Sequence, residues 1–257
     1  MDLATIIGVL LAFGAIMGSM ILEGGSPMAL LKPGPLLLIF VGSTSAALAS
    51  TTIPSMLASF KWLIYAIKAK PPDMNSVIGP LVKMAEKARQ EGLLALEADL
   101  EDVTDPFMKK GMQMAVDGTD PDDLFEILAA EVKAKKAAVN VGAGFFNDVG
   151  GYSPTIGIIG TVLGLVTVLE NLSEPAKLGH LIAGAFVATL WGILSANVMF
   201  LPFGKRIKVI GMAEAARMEL IIEGVLAIQA GANPRVVASK LKSKIVPLGP
   251  AAIEEAA

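Results

Sequence analysis

Ser153 to Pro202 reads SPTIGIIGTVLGLVTVLENLSEPAKLGHLIAGAFVATLWGILSANVMFLP, and this stretch decides the fold. Two long apolar runs flank a short polar connection, Glu170 to Lys177. About 20 residues at ~1.5 Å rise cover ~30 Å of hydrocarbon, so each run can cross a bilayer as one helix. Neither run is uniform leucine. In the first, Gly157, Gly160, Thr161 and Gly164 share a helical face. In the second, Gly184, Ala188, Gly192 and Ala196 recur every fourth residue, with Thr189 beside them. Small residues at that spacing let helix backbones approach closely in lipid. The hydroxyls among them suit either of two roles. They can line a path for an ion, or they can bond to a neighbouring helix or to the carbonyl four residues back.

Composition agrees with a membrane protein. The 257 residues are 54% hydrophobic, and the mean hydropathy is +0.64, too apolar for an ordinary soluble domain. With no cysteine there is no disulfide framework and no thiolate metal site, and the single histidine, His180, cannot build a histidine metal site alone. A net charge of -3 gives no reason to expect nucleic acid as a partner. Met1-Asp2 lacks a basic leader, and Leu3 to Leu22 is too long for a signal core, so it reads as a retained first span.

Gly8, Gly14 and Gly18 give that span a small face suited to packing. A second span is expected from Pro35 to about Leu57, with Pro54 kinking or ending it. Its hydroxyls, Ser43 to Ser45 and Ser50 to Thr52, can bond to backbone or line a path. Eleven of the 21 Lys and Arg lie between Lys61 and Gly150, eight lie beyond Phe203, and the other two are Lys32 and Lys177. The positive-inside rule then puts both termini and the long middle segment in the cytoplasm, with two short turns outside.

The expected architecture is all-α, with four transmembrane helices and a helical cytoplasmic insert between spans two and three. Residues 1–60 hold spans one and two, 61–144 the insert, 145–203 spans three and four, and 204–257 the C-terminal helices and tail. Within the insert, helices are expected near Ser76 to Gln90, Leu93 to Leu100, Asp105-Pro106 to Gly118, and from Pro121. Asp120-Pro121-Asp122-Asp123 is a strong start: a cap, a proline at the first position and acids in the first turn. That helix can run on into the third span, which begins around Phe145. Pro202 reads as the end of the fourth span. An amphipathic helix follows near Met212 to Gln229, then a short one from Pro234 to Lys244 and a disordered tail.

No GxxxxGK[ST], HExxH, CxxC or GxSxG motif is present, which argues against an enzyme. The informative absence is electrostatic. No Asp, Glu, Lys or Arg lies in the middle of any span; the nearest to the last two are Asp148 and Glu170, both at ends. Ion pumps and proton relays usually rely on an intramembrane carboxylate. Either this chain lines no ion path, or a partner helix supplies the acid.

Short motifs along the chain now carry a resemblance. Met1-Asp-Leu-Ala-Thr, Ala88-Arg89-Gln-Glu-Gly-Leu-Leu-Ala-Leu-Glu97, Ser153-Pro154 through Gly160-Thr161, Ala188-Thr189-Leu-Trp-Gly192, Phe200-Leu-Pro202, Gly224 to Gln229 and Asn233-Pro234-Arg235 resemble the flagellar stator proteins of the MotA and PomA family. The resemblance implies a subunit of the bacterial inner membrane that needs no cofactor and transports Na⁺ or H⁺. It implies a ring of five around two copies of a single-span MotB- or PomB-type partner, which carries the titrating aspartate. Ion flow would rotate the ring and turn the rotor, engaged through its switch protein FliG. Arg89 and Glu97 match the rotor-binding charges, and Pro154 and Pro202 the prolines that couple ion movement to conformation. Thr161 matches a threonine of sodium-driven stators, and Thr189 a second hydroxyl at the same site. Ala188 departs from the second threonine common in sodium-driven members, and Trp191 replaces a common tyrosine. Alternatives are an energiser of outer-membrane transport of the ExbB or TolQ kind, and a passive membrane scaffold.

Overall fold

Residues 4–245 are described in a computed structural model of the chain, and every regular element among them is helical. Met1 to Leu3 and the tail from Val246 onward lie outside the described residues. In order come α1 (Ala4–Leu22), α2 (Pro33–Ala49), α3 (Ile53–Lys68) and α4 (Ile78–Glu91). A 3-10 segment (Leu93–Asp102) and α5 (Pro106–Val116) follow, then α6 (Pro121–Glu170), α7 (Pro175–Gln229) and α8 (Pro234–Ser243). The chain divides into two compact units, one of residues 4–70 with 139–210, the other of 71–138 with 211–245.

α1, α6 and α7 are long and apolar enough to cross a membrane. The remaining apolar helix, α2, has 17 residues or about 26 Å, slightly short of a typical hydrocarbon core. It differs from the expected second span in where it stops. The break falls at Ser50 to Thr52, before Pro54. Ser50 Oγ donates to the Ala47 carbonyl at 2.9 Å, which satisfies an end of α2. Thr52 then caps α3 by accepting from the Ser55 N–H. Pro54 sits in the first turn of the new helix, where its missing N–H costs nothing.

α6 is one unbroken helix from the Asp120 cap to Glu170, as the capping signal allowed. α7 departs from expectation more. The helix does not end at Pro202 and no separate helix begins at Met212; a single helix runs on to Gln229. Residues Ser195–Phe200, just ahead of the proline, form a π-helical segment. A widened turn there makes room for a ring that would otherwise strike the carbonyl of Val198. α2 carries a second π segment at Leu38–Gly42.

In the first unit, Trp191 of α7 is the anchor. Its indole N–H donates to the Leu30 carbonyl at 2.8 Å, and its ring packs against Phe13 and Phe40. Leu30, Ile39, Val187 and Leu194 close the cluster. Arg206 donates to the Ala66 carbonyl at 2.6 Å, placing a cation on the last-turn acceptors of α3. A Cβ built on Gly8, Gly14 or Gly18 of α1 would meet nothing within 4 Å among the described residues.

The second unit has its own core. Leu81, Leu96, Leu100, Met112, Leu124, Leu128, Ile221, Ile228 and Leu241 are fully buried together, each such side chain contributing about 1.5–3 kcal/mol. Asp105 caps α5 by accepting from the N–H groups of Phe107 and Met108, and it also pairs with Arg217. Lys135–Glu214 and Lys136–Glu219 pairs tie α6 to α7 within this unit. Leu93 to Leu100, expected as a short helix, belongs to the tighter 3-10 segment Leu93–Asp102. Gly92 turns the chain into it at φ +87°, and burial of Leu96 and Leu100 holds it.

Candidate functional site

The two small-residue faces meet each other. α6 and α7 pack so closely that a Cβ on Gly157 would stand 3.1 Å from the Ala188 carbonyl oxygen and 3.2 Å from Thr189 Cα. A Cβ on Gly192 would reach Ser153 O at 2.6 Å, and one on Gly164 would reach Ala185 Cβ at 2.6 Å. Only glycine at these places permits the approach, and the approach is what brings the threonines together.

Thr161 and Thr189 are in direct hydroxyl contact. Both also reach the Gly157 carbonyl at 3.2 Å, and Thr161 reaches the Ala185 carbonyl at 3.2 Å. Each hydroxyl has one proton and two lone pairs. If Thr161 donates to Thr189 and Thr189 to Gly157, the Thr161 oxygen keeps both lone pairs and the Thr189 oxygen keeps one, and both residues are only partly buried. The cluster therefore offers neutral oxygen ligands of the kind hard cations and water accept. Among the described residues no group of three His, Asp or Glu could hold a metal ion, and no carboxylate lies between Asp148 and Glu170 or between Glu174 and Pro202. For Thr161 the Gly157 carbonyl is the expected acceptor four residues back; only helix packing reveals that Thr189 shares it.

Pro154 lies inside α6, one turn before this cluster. It has no N–H to offer the Gly150 carbonyl. Its Cα stands 3.3 Å from a Cβ built on Gly192. The Ser153 hydroxyl beside it is fully buried and donates back to the Val149 carbonyl at 2.7 Å. Pro202 borders a small cleft with Gly8 and Val9 of α1, and its neighbour Leu201 packs on Gly150. The two prolines thus flank one close α6–α7 contact.

Arg89 and Glu97 sit elsewhere, in the second unit. Arg89 ends α4 and Glu97 lies in the 3-10 segment; both are exposed, and neither makes an ion pair among the described residues. Two residues outside each in sequence, Lys87 pairs with Asp99 at 2.8 Å. The hydrogen bond it donates to Asp99 holds the Lys87 ammonium above its ordinary pKa. That clamp joins the two segments that present Arg89 and Glu97.

Comparison with known proteins agrees along the whole chain. Residues 6–92 match the motility protein A N-terminal family, and residues 99–220 the MotA/TolQ/ExbB proton channel family. Motility protein A of Bacillus subtilis is 38% identical over 244 residues, 94% of this chain and 90% of that one. The structure of C. jejuni MotAB matches with a TM-score of 0.92 at 32% identity, covering 97% of this chain and 98% of its counterpart. The flagellar MotAB stator complex from Bacillus subtilis matches with a TM-score of 0.88 at 36% identity, covering 95% and 96%. The chain belongs to the motility protein A family of flagellar stator subunits.

Proposed function

We propose that this stator subunit supplies the neutral wall of a cation path and that a MotB- or PomB-type single-span partner supplies the carboxylate. The observation that carries the reading is the Thr161–Thr189 cluster, with the Gly157 and Ala185 carbonyls, on stretches of α6 and α7 that hold no acid from Val149 to Leu169 or from Pro175 to Pro202. A lone cation in hydrocarbon is costly without a counter-charge, and hydroxyl and carbonyl dipoles neutralise it only in part. The transported ion is Na⁺ or H⁺, moving inward. The chain crosses the inner membrane four times, through α1, α2, the later half of α6 and the earlier part of α7, with both termini in the cytoplasm. Residues 61–144 and 204–257 form the cytoplasmic portion; 1–60 and 145–203 are membrane-embedded. Five copies form a ring, for which Gly14 and Gly18 of α1, where an added Cβ would meet nothing within 4 Å, offer a surface to lipid or to a neighbour. Arg89 and Glu97 engage FliG on the rotor, and Pro154 and Pro202 couple ion passage to helix movement.

The test is swimming and stator-dependent growth inhibition as sodium and pH are varied. Thr161→Ala abolishes the ion-dependent response while the complex still assembles, and Thr161→Ser retains part of it. Dependence on sodium rather than pH identifies Na⁺ as the ion. Unchanged motility of Thr161→Ala under every condition refutes the role of the cluster.

A further inference from the structure

A cleft of about 500 Å³ opens between α2, α6 and α7. Exposed His180 and half-buried Lys32 line its open side, and the buried residues Gly160, Ala185 and Ala188 line its inner end. That inner end abuts the threonine cluster, because Ala185 supplies a carbonyl to Thr161. Lys32 turns into the cleft rather than away from it. Its ammonium donates to the His180 carbonyl at 2.9 Å. Its side chain lies across Gly184, where a Cβ would meet Nζ at 3.6 Å and Cδ at 3.9 Å. Gly184 is one helical turn, about 6 Å, from Ala188. Lys32 is also the sole Asp, Glu, Lys or Arg among the residues lining the cleft. A fixed positive charge therefore stands within about a Debye length of the inner end, against low-dielectric walls that screen it poorly.

We propose that Lys32 is an electrostatic gate on the cation route, and that its charge lowers the rate at which cations enter this cleft toward Thr161 and Thr189. The proposal rests on the reading of the threonine cluster as part of the ion path. The alternative role for Lys32 is a mechanical pin between the start of α2 and α7. The two roles separate by charge. Lys32→Gln keeps a donor for the His180 carbonyl and removes the charge, Lys32→Arg keeps both, and Lys32→Glu inverts the charge.

The experiment measures sodium and proton influx into liposomes holding the complex of this chain with its single-span partner, normalised to assembled complex. Ionic strength is varied with choline chloride. At about 10 mM salt, Lys32→Gln raises influx about threefold to tenfold, Lys32→Glu raises it further, and Lys32→Arg matches the parent. At about 1 M salt, where the Debye length falls to about 3 Å, the variants converge. Lys32→Gln and Lys32→Glu at or below the parent rate at every ionic strength overturn the gate. Thr161→Ala, run alongside, tells the two failures apart. If it stops influx while Lys32→Gln changes nothing, the gate alone is wrong; if it leaves influx intact, the ion-path reading falls and the gate with it.

Discussion

Replacing Gly192 with alanine tests whether the α6–α7 approach is as tight as it looks. The added Cβ would sit 2.6 Å from the Ser153 carbonyl oxygen, 3.1 Å from Gly157 Cα and 3.3 Å from Pro154 Cα. All three are backbone atoms, so no side chain can rotate away. Restoring the nearest contact to an ordinary 3.4 Å requires the helices to part by about 0.8 Å. Overpacking of this kind costs about 1–3 kcal/mol, and an unyielding backbone puts it near the upper end. Alanine recovers about 1 kcal/mol of helix propensity, which leaves a net loss of about 2 kcal/mol. Gly179→Ala is the matched control, since nothing lies within 4 Å of a Cβ there, and it should be neutral or stabilising. Thermal unfolding of the detergent-purified complex reads the difference. Ion influx reads the consequence, because parting the helices also separates Thr161 from Thr189. A Gly192→Ala complex as stable as the parent, with full influx, would refute the packing argument.

Arg89→Glu should cut torque on tethered cells severely while membrane assembly and second-unit stability stay within about 0.5 kcal/mol, because the side chain is exposed and unpaired among the described residues. Loss of the assembled complex would make it structural instead. Glu223 accepts from Lys240 and Lys244 at 2.7 and 2.5 Å, and the hydrogen bonds from those two lysines hold its pKa below the ordinary carboxylate value. A lowered folded pKa means the stabilisation is fully present above the unfolded value of about 4.5 and is lost as pH falls through the folded one. The pairs are largely solvated, so the effect is about 1 kcal/mol or less and shrinks in salt. Glu223→Gln should flatten that part of the stability profile in acid denaturation, and an unchanged profile would count against the linkage.

What the sequence disclosed follows from how local each signal is. Asp105 and Asp120 cap helices through their own next few N–H groups, so their role is written in neighbouring residues. The glycine and alanine stripes of α6 and α7 were legible because period alone places them on one face. The meeting of Thr161 with Thr189 was legible through the family resemblance and the shared faces, and the Gly157 acceptor of Thr161 as the carbonyl four residues back; that Thr189 reaches the same carbonyl from another helix was not legible. Pro202 misled because proline normally ends a helix, and the π segment ahead of it leaves no compositional trace. Pro54 misled by a few residues, since the stop is set by Ser50 and Thr52 hydroxyls that act before the ring does. Lys32 read as a loop cation, and only the fold of its side chain over Gly184 turns it toward the cleft.

The most direct test of the division of labour is ion influx into liposomes holding this chain alone, compared with liposomes holding it together with its single-span partner. Influx should require the partner and vanish when the partner's intramembrane carboxylate is replaced by its amide. Steady Na⁺ or H⁺ influx through the chain alone would contradict an acid-free wall that depends on another protein for its charge.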